Sequence, residues 1–188
     1  MRDASGVAAA SEDPPTSAPV DPPQRILVAA VGNVLRGDDG FGIAVAERLH
    51  GTLPEGVDLL EAGIGGLGVL HQLMEGYAAL ILVDAVERGA PAGTTFVLVP
   101  DTPDVATPTF DEWRAQLSDF HLAEPSRLLR LAQAAGVLPD AVMLVGCQPE
   151  RCEDFEEGLT AHVAAAVPIA ADRVHELVAE LGARLQGT

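Results

Sequence analysis

The chain is short of aromatic residues, cysteine and basic residues, and each shortage excludes a class of protein. Aromatic residues make up only 4% of the 188 residues, so the core must consist of Val, Leu, Ile and Ala, as in parallel sheets covered by helices. The two cysteines, Cys147 and Cys152, do not make a disulfide framework. With 11 Lys and Arg against 28 Asp and Glu, the formal net charge is −17, which argues against nucleic acid or an anionic membrane as a partner.

Signals for membrane insertion and export are also lacking. The sequence contains no run of about 18 apolar residues that would predict a membrane span, and its N-terminus has neither the basic region nor the apolar core of a secretory signal. Residues 1–24 are rich in Ala, Ser, Asp and Pro without a periodic apolar face, which predicts a disordered extension. We therefore expect a cytoplasmic protein whose folded domain comprises residues 25–188.

The remainder of the chain alternates short apolar runs with amphipathic stretches. The predicted strands are Ile26–Val31, Val57–Glu61, Ala79–Val83, Gly93–Pro100 at an edge, and Ala141–Val145. Helices are predicted at 39–50, 67–74, 125–135 and over the C-terminal region, where Pro168 is expected to start a new helix. This order predicts a single-domain, three-layer α/β sandwich with a mostly parallel, twisted sheet of about five strands and helices on both faces.

An acidic pair follows the first predicted strand, within residues 32–42 (GNVLRGDDGFG). Open α/β sheets bind ligands just beyond the carboxyl ends of their strands. Glycines at such a turn usually admit phosphate, but Asp38 and Asp39 would repel phosphate and attract a cation. Asp84 ends the strand predicted at 79–83, so all three carboxylates would share one edge if the two strands are neighbours. Because clustered like charges are costly unless a cation offsets them, this edge is a candidate cation site.

Simpler roles are also open for these residues. Asp38 is a suitable residue to cap the helix predicted at 39–50, and Asp84 could be an ordinary turn residue. The spacing of Cys147 and Cys152 is not that of a usual zinc knuckle.

A histidine is the expected third member of the site. Four of the five histidines fall within predicted helices, whereas His121 ends the long polar loop at 101–120, directly before a helix. From there its side chain could reach Asp39 and Asp84. Two carboxylates and one imidazole suit Ni, Zn or Mn and leave coordination positions open.

Several segments together resemble the hydrogenase maturation endopeptidases, which trim the C-terminus of the large subunit of nickel–iron hydrogenases. They are residues 32–42, residues 81–85 (ILVDA), His121 before a helix, residues 144–149 (LVGCQP) and residues 158–160 (GLT). The resemblance extends over about residues 25–185, which is nearly the whole of the predicted domain.

The resemblance implies a peptidase whose nickel is supplied by its substrate. The metal-contacting residues of the family correspond to Asp39, Asp84 and His121, and the implied partner is the nickel-loaded large-subunit precursor. The ion or an adjacent carboxylate such as Asp38 would help water to attack the peptide, which makes Asp38 and Asp39 the candidate catalytic residues. The surrounding glycines are expected to let the substrate chain approach. No Ser or Cys nucleophile is well placed, so direct hydrolysis is expected.

Two other functions remain open at this point. The glycine-rich loop at 63–68 could serve a non-catalytic nucleotide- or ligand-binding α/β module. Alternatively, the chain could be a self-sufficient metallohydrolase that retains its own zinc.

Overall fold

The computed structural model describes residues 24–64, 66–100, 125–152 and 155–187. Except for Gln24, the N-terminal extension predicted at 1–24 lies outside the described residues. The polar loop at 101–120 and His121 lie outside them as well.

The fold is built around a five-stranded sheet with the strand order β2-β1-β3-β5-β4. The strands are β1 (Ile26–Val31), β2 (Val57–Gly63), β3 (Ala79–Ala85), β4 (Thr95–Leu98) and β5 (Ala141–Cys147). All are parallel except β4, which pairs antiparallel with β5 at one edge of the sheet. The predicted sheet, including the edge position of its fourth strand, is confirmed.

Helices cover both faces of the sheet, as predicted. They are a short 3-10 helix (Gly37–Gly40), α1 (Phe41–Leu49), α2 (Gly66–Leu73), α3 (Pro125–Ala134) and α4 (Ala161–Gln186). Alternate residues of β1 point to opposite faces: Val28 packs in a core with α1 and α4, and Leu27 packs in a second core with α2 and α3. Aliphatic side chains fill most of both cores, as the shortage of aromatic residues indicates, and each core contains one aromatic residue, Phe41 in the first and Tyr77 in the second.

The prediction that Pro168 starts a new helix is wrong, because α4 continues through it from Ala161 to Gln186. Proline removes one helical hydrogen bond, to the carbonyl four residues earlier, here that of Ala164, which is exposed to water. Apolar residues on both sides of the proline, such as Val163 and Val174, are fully buried against the sheet. This packing keeps the segments of α4 before and after Pro168 in one continuous helix. Among the described helices, none has the length and apolarity needed to cross a membrane.

The pairing of β1 with β3 defines the position of the candidate site. Ala30 pairs with Val83 in parallel register, so the two strands end at the same level. The loops after β1, β2, β3 and β5 therefore emerge at one edge of the sheet, which we call the carboxyl edge. The first and third strands are neighbours, so the condition for a shared edge is met.

Candidate active site

The loop after β1 holds Asp39 by short-range hydrogen bonds. The backbone N–H of Asn33 donates to the carbonyl oxygen of Asp39 at 3.2 Å and to its carboxylate oxygen Oδ2 at 3.1 Å. The Asn33 side-chain oxygen accepts the N–H of Leu35 at 3.0 Å, which closes the turn that the loop needs. Asp39 is thus presented at the carboxyl edge by its own loop.

Glycines beside the acidic pair make room for the protein's own backbone. Gly32 has a φ of +142°, and a Cβ atom there would lie 2.0 Å from the carbonyl oxygen of Asp39. A Cβ at Gly42 would lie 2.1 Å from the carbonyl oxygen of Val31 and 2.5 Å from that of Val83. The expectation that these glycines admit a substrate chain is therefore wrong for Gly32 and Gly42, which permit close packing within the fold.

Asp38 joins the 3-10 helix to the segment that follows β5. Its side chain is fully buried and accepts backbone N–H groups from Glu150 at 2.8 Å, Arg151 at 3.0 Å and Thr160 at 2.7 Å. The Thr160 hydroxyl donates a further hydrogen bond at 3.0 Å. The prediction that Asp38 caps the first helix is wrong, because α1 begins after Gly40 without a side-chain cap. Asp38 lies instead beside Thr160, the residue before α4.

These hydrogen bonds keep Asp38 ionised in spite of its burial. Burial by itself would raise the pKa of the carboxyl group, but the N–H groups of Thr160, Glu150 and Arg151 outweigh it and lower the pKa below its ordinary value. Asp38 is therefore a buried negative charge that is stabilised by three hydrogen bonds to Oδ2 and one to Oδ1. Its contacts are those of a residue that positions the site.

Replacing Asp38 by Asn is expected to destabilise the protein by about 2–3 kcal/mol at neutral pH, because the amide cannot accept all four hydrogen bonds. The lowered pKa of Asp38 means that its contribution is present above about pH 4 and is lost as the pH falls through the pKa of the folded state. Chemical denaturation should therefore show that the difference in free energy of unfolding between wild type and Asp38→Asn becomes smaller in acid. An exposed control, Asp140→Asn, should behave as wild type, whereas a pH-independent difference would contradict the charge assignment.

Asp39 and Asp84 form a carboxylate pair at the ends of the neighbouring strands β1 and β3. Asp84 is only 5% exposed, and its Oδ1 accepts the N–H of Ala85 at 2.8 Å. Burial, and then the negative charge of Asp39, raise the pKa of Asp84 well above its ordinary value. Burial also raises the pKa of half-buried Asp39, against the opposing effects of the Arg36 charge and the Asn33 N–H. A cation at this place would stabilise both carboxylates.

Cys152 is close enough to Asp38 and Asp39 for their negative charges to affect its thiol. Burial, followed by the charges of Asp39 and Asp38, raises the pKa of its thiol to about 12. The thiol is therefore protonated at neutral pH, whereas a cysteine nucleophile reacts as the thiolate. At neutral pH Cys152 is therefore not in the reactive form of a cysteine nucleophile.

The structure brings together two of the three predicted metal contacts, Asp39 and Asp84. His121 lies outside the described residues, and its place in the site stays a prediction. Within the part of the chain that the structure describes, no three His, Cys, Asp or Glu side chains are grouped so that they could hold a metal ion.

Gln148 and Thr160 support the site, and sequence reasoning gave them no role. Gln148 is buried, and its Oε1 accepts the N–H of Arg88 at 2.7 Å while its Nε2 donates to Glu87 at 2.7 Å. It thereby joins the loop after β3 to the end of β5. Thr160 could have been recognised by its place before a helix, where threonine is preferred, but its bond to Asp38 depends on the fold.

Comparison with known proteins identifies the family. The family model for hydrogenase maturation protease matches residues 43–177. The chain is 38% identical over 162 residues to the hydrogenase expression/formation protein HupD of Rhodobacter capsulatus, covering 85% of this chain and 74% of the relative. It is 32% identical over 160 residues to HoxM of Cupriavidus necator, covering 84% and 75%.

Solved structures agree with this family. The hydrogenase-maturating endopeptidase HybD of E. coli matches with a TM-score of 0.66 at 29% identity, covering 83% of this chain and 93% of its own. The hydrogenase 2 maturation peptidase of Thaumarchaeota archaeon SCGC_AB-539-E09 matches with a TM-score of 0.60 at 36% identity, covering 82% and 97%. The chain belongs to the hydrogenase maturation protease family and is thus a peptidase. The resemblance found in the sequence is confirmed, and a non-catalytic nucleotide-binding module is excluded.

Proposed function

We propose that the protein removes the C-terminal extension of a nickel–iron hydrogenase large-subunit precursor after nickel insertion. In this proposal Asp39, Asp84 and His121 contact the nickel that the precursor carries. The observation that supports it most directly is the carboxylate pair, because burial and mutual repulsion raise the pKa of Asp84 well above its ordinary value. A site of this kind gains most from a ligand that brings positive charge.

The small number of protein ligands suits an ion that belongs to the substrate. Two carboxylates and one imidazole bind a divalent transition metal and leave several coordination positions for groups of the precursor. Such a site completes the coordination of an ion that the precursor already holds. The nickel therefore acts as a recognition element of the substrate. A precursor without nickel would bring no positive charge to offset the carboxylates of Asp39 and Asp84.

The proposed chemistry is attack of a water molecule on the scissile peptide. Asp38 is fully buried and its carboxylate accepts four hydrogen bonds from the protein, so we assign it a positioning role. Asp39 is more accessible than Asp84. We therefore propose that one oxygen of its carboxylate contacts the nickel and the other accepts the proton of the water.

Cleavage of the purified, nickel-loaded precursor tests these roles. Asp39→Asn and His121→Ala are each expected to lower the cleavage rate by about 100-fold or more, because each removes a contact to the nickel and the first also removes the base. Circular dichroism should show that both variants fold. The matched control Asp172→Asn, at an exposed position on α4, should process the precursor normally. Normal processing by both site variants would refute the assignment.

Metal analysis of the purified protein distinguishes nickel recognition from a resident zinc. The proposal expects protein without stoichiometric metal that cleaves only the nickel-loaded precursor. One equivalent of bound zinc, together with cleavage of the nickel-free precursor, would instead establish a zinc-retaining metallohydrolase.

A further inference from the structure

Large apolar side chains are exposed around the acidic pair. They belong to the segments that follow β1, β2 and β5, and Phe155 is 83% and Ile64 62% exposed. We call this group the apolar rim; its members are Val34, Leu35, Ile64, Leu67 and Phe155. Single exposed apolar residues are normal on protein surfaces, whereas a contiguous group of them marks an interaction site.

Backbone hydrogen bonds show that the segments carrying the apolar rim adjoin one another. The N–H of Gly32 donates to the carbonyl oxygen of Gly63 at 3.0 Å, which joins the loops after β1 and β2. The N–H of Glu156 donates to the carbonyl oxygen of Leu35 at 3.1 Å, which places Phe155 next to the first loop. Leu67 lies in the first turn of α2, directly after the second loop.

Asp39 is hydrogen-bonded to Asn33, which directly precedes Val34 and Leu35 of the apolar rim in the segment after β1. Asp84 lies near the carboxyl end of the neighbouring strand β3, so the apolar rim and the two carboxylates share the carboxyl edge. The surface therefore combines an acidic centre with an apolar border. Its partner must offer apolar groups at the border and positive charge at the centre.

We infer that the apolar rim binds an extended peptide segment of the substrate, with apolar side chains of that segment on Leu35 and Phe155, while the nickel that the precursor carries lies at Asp39 and Asp84. This inference rests on the proposed function and adds to it a docking surface that is separate from the residues contacting nickel. Charge selects this occupant over a second copy of the chain. Two copies joined through this surface would bring their acidic centres together, each on a chain with a formal net charge of −17.

Kinetics of the double variant Leu35→Ser/Phe155→Ser test the docking surface. Both side chains are exposed, so the variant should keep the wild-type Tm. The KM for the nickel-loaded precursor is expected to rise about 10- to 100-fold, the effect of no longer burying large apolar side chains, and kcat should change much less. Matched controls are Met74→Ser, after α2, and Ile169→Ser, within α4, which remove exposed apolar side chains away from the carboxyl edge. Both controls should keep the wild-type KM.

The outcomes separate this inference from the proposed function. If Asp39→Asn and His121→Ala stop cleavage but the double variant keeps the wild-type KM, the docking surface is refuted and the proposed function stands. If those two variants cleave normally, the proposed function fails whatever the KM of the double variant. Sedimentation of the proteins without substrate tests for self-association. If the wild-type protein is a dimer and the double variant is a monomer, the inference is overturned in favour of a second copy of the chain.

Discussion

Asp84→Asn is expected to abolish precursor cleavage and, at the same time, to make the protein more stable at neutral and alkaline pH. The carboxyl group of Asp84 is only 5% exposed, and burial and the charge of Asp39 raise its pKa. Its charged form therefore opposes folding, and the neutral amide removes that cost. Cleavage should fall by about 1,000-fold, because the amide carries no charge to attract the nickel that we propose the precursor brings.

The pH dependence of this stability effect has a definite sign. The folded-state pKa of Asp84 is raised, so its neutral form favours the folded state at low pH and this contribution is lost as the pH rises through the folded-state pKa. At about pH 8, removal of the charge should stabilise the variant by about 1 kcal/mol, or roughly 2–4 °C in Tm. Below about pH 4 both side chains are neutral and the two Tm values should converge.

Scanning calorimetry from acid to alkaline pH measures this effect, with the exposed Asp140→Asn as the control for loss of one negative charge. The control should show neither the gain in Tm nor the loss of cleavage. A Tm for Asp84→Asn below that of wild type at about pH 8 would show that the Asp84 carboxylate serves the fold rather than the site.

Gly42→Ala is expected to cause a large loss of stability. The new Cβ would lie 2.1 Å from the carbonyl oxygen of Val31 and 2.5 Å from that of Val83. Both are backbone atoms of central strands, so α1 must move away from the sheet. We expect a loss of about 3 kcal/mol or more, or about 10 °C in Tm, and reduced cleavage, because α1 directly follows the loop that carries Asp39.

The same substitution at two other helical glycines is the control. A Cβ at Gly68 in α2 or Gly182 in α4 would meet no atom within 4 Å. Alanine at these positions should stabilise the helix by about 0.5–1 kcal/mol. If the Tm of Gly42→Ala equalled the Tm of these controls, α1 would not lie as close to Val31 and Val83 as these distances indicate.

Much of the fold could be predicted because its signals are local. Ile26–Val31 and Ala79–Val83 are uninterrupted apolar runs, and these runs form central strands covered on both faces. Local signals were misleading at Pro168, because the packing of α4 on the sheet outweighs the preference of proline for a helix start. They were also misleading at Asp38, a good helix cap in sequence terms, whose partners lie in a distant part of the chain.

The sequence by itself determined the class of fold, the family and the acidic residues that mark the carboxyl edge, because hydrophobic periodicity and short motifs are properties of neighbouring residues. Only the tertiary structure decided which contacts each acidic residue makes. Asp38 accepts its hydrogen bonds from Glu150, Arg151 and Thr160, whereas the charge of Asp39 acts on Asp84 at the end of β3. These differences depend on burial and on contacts between distant segments, which arise only when the sheet assembles.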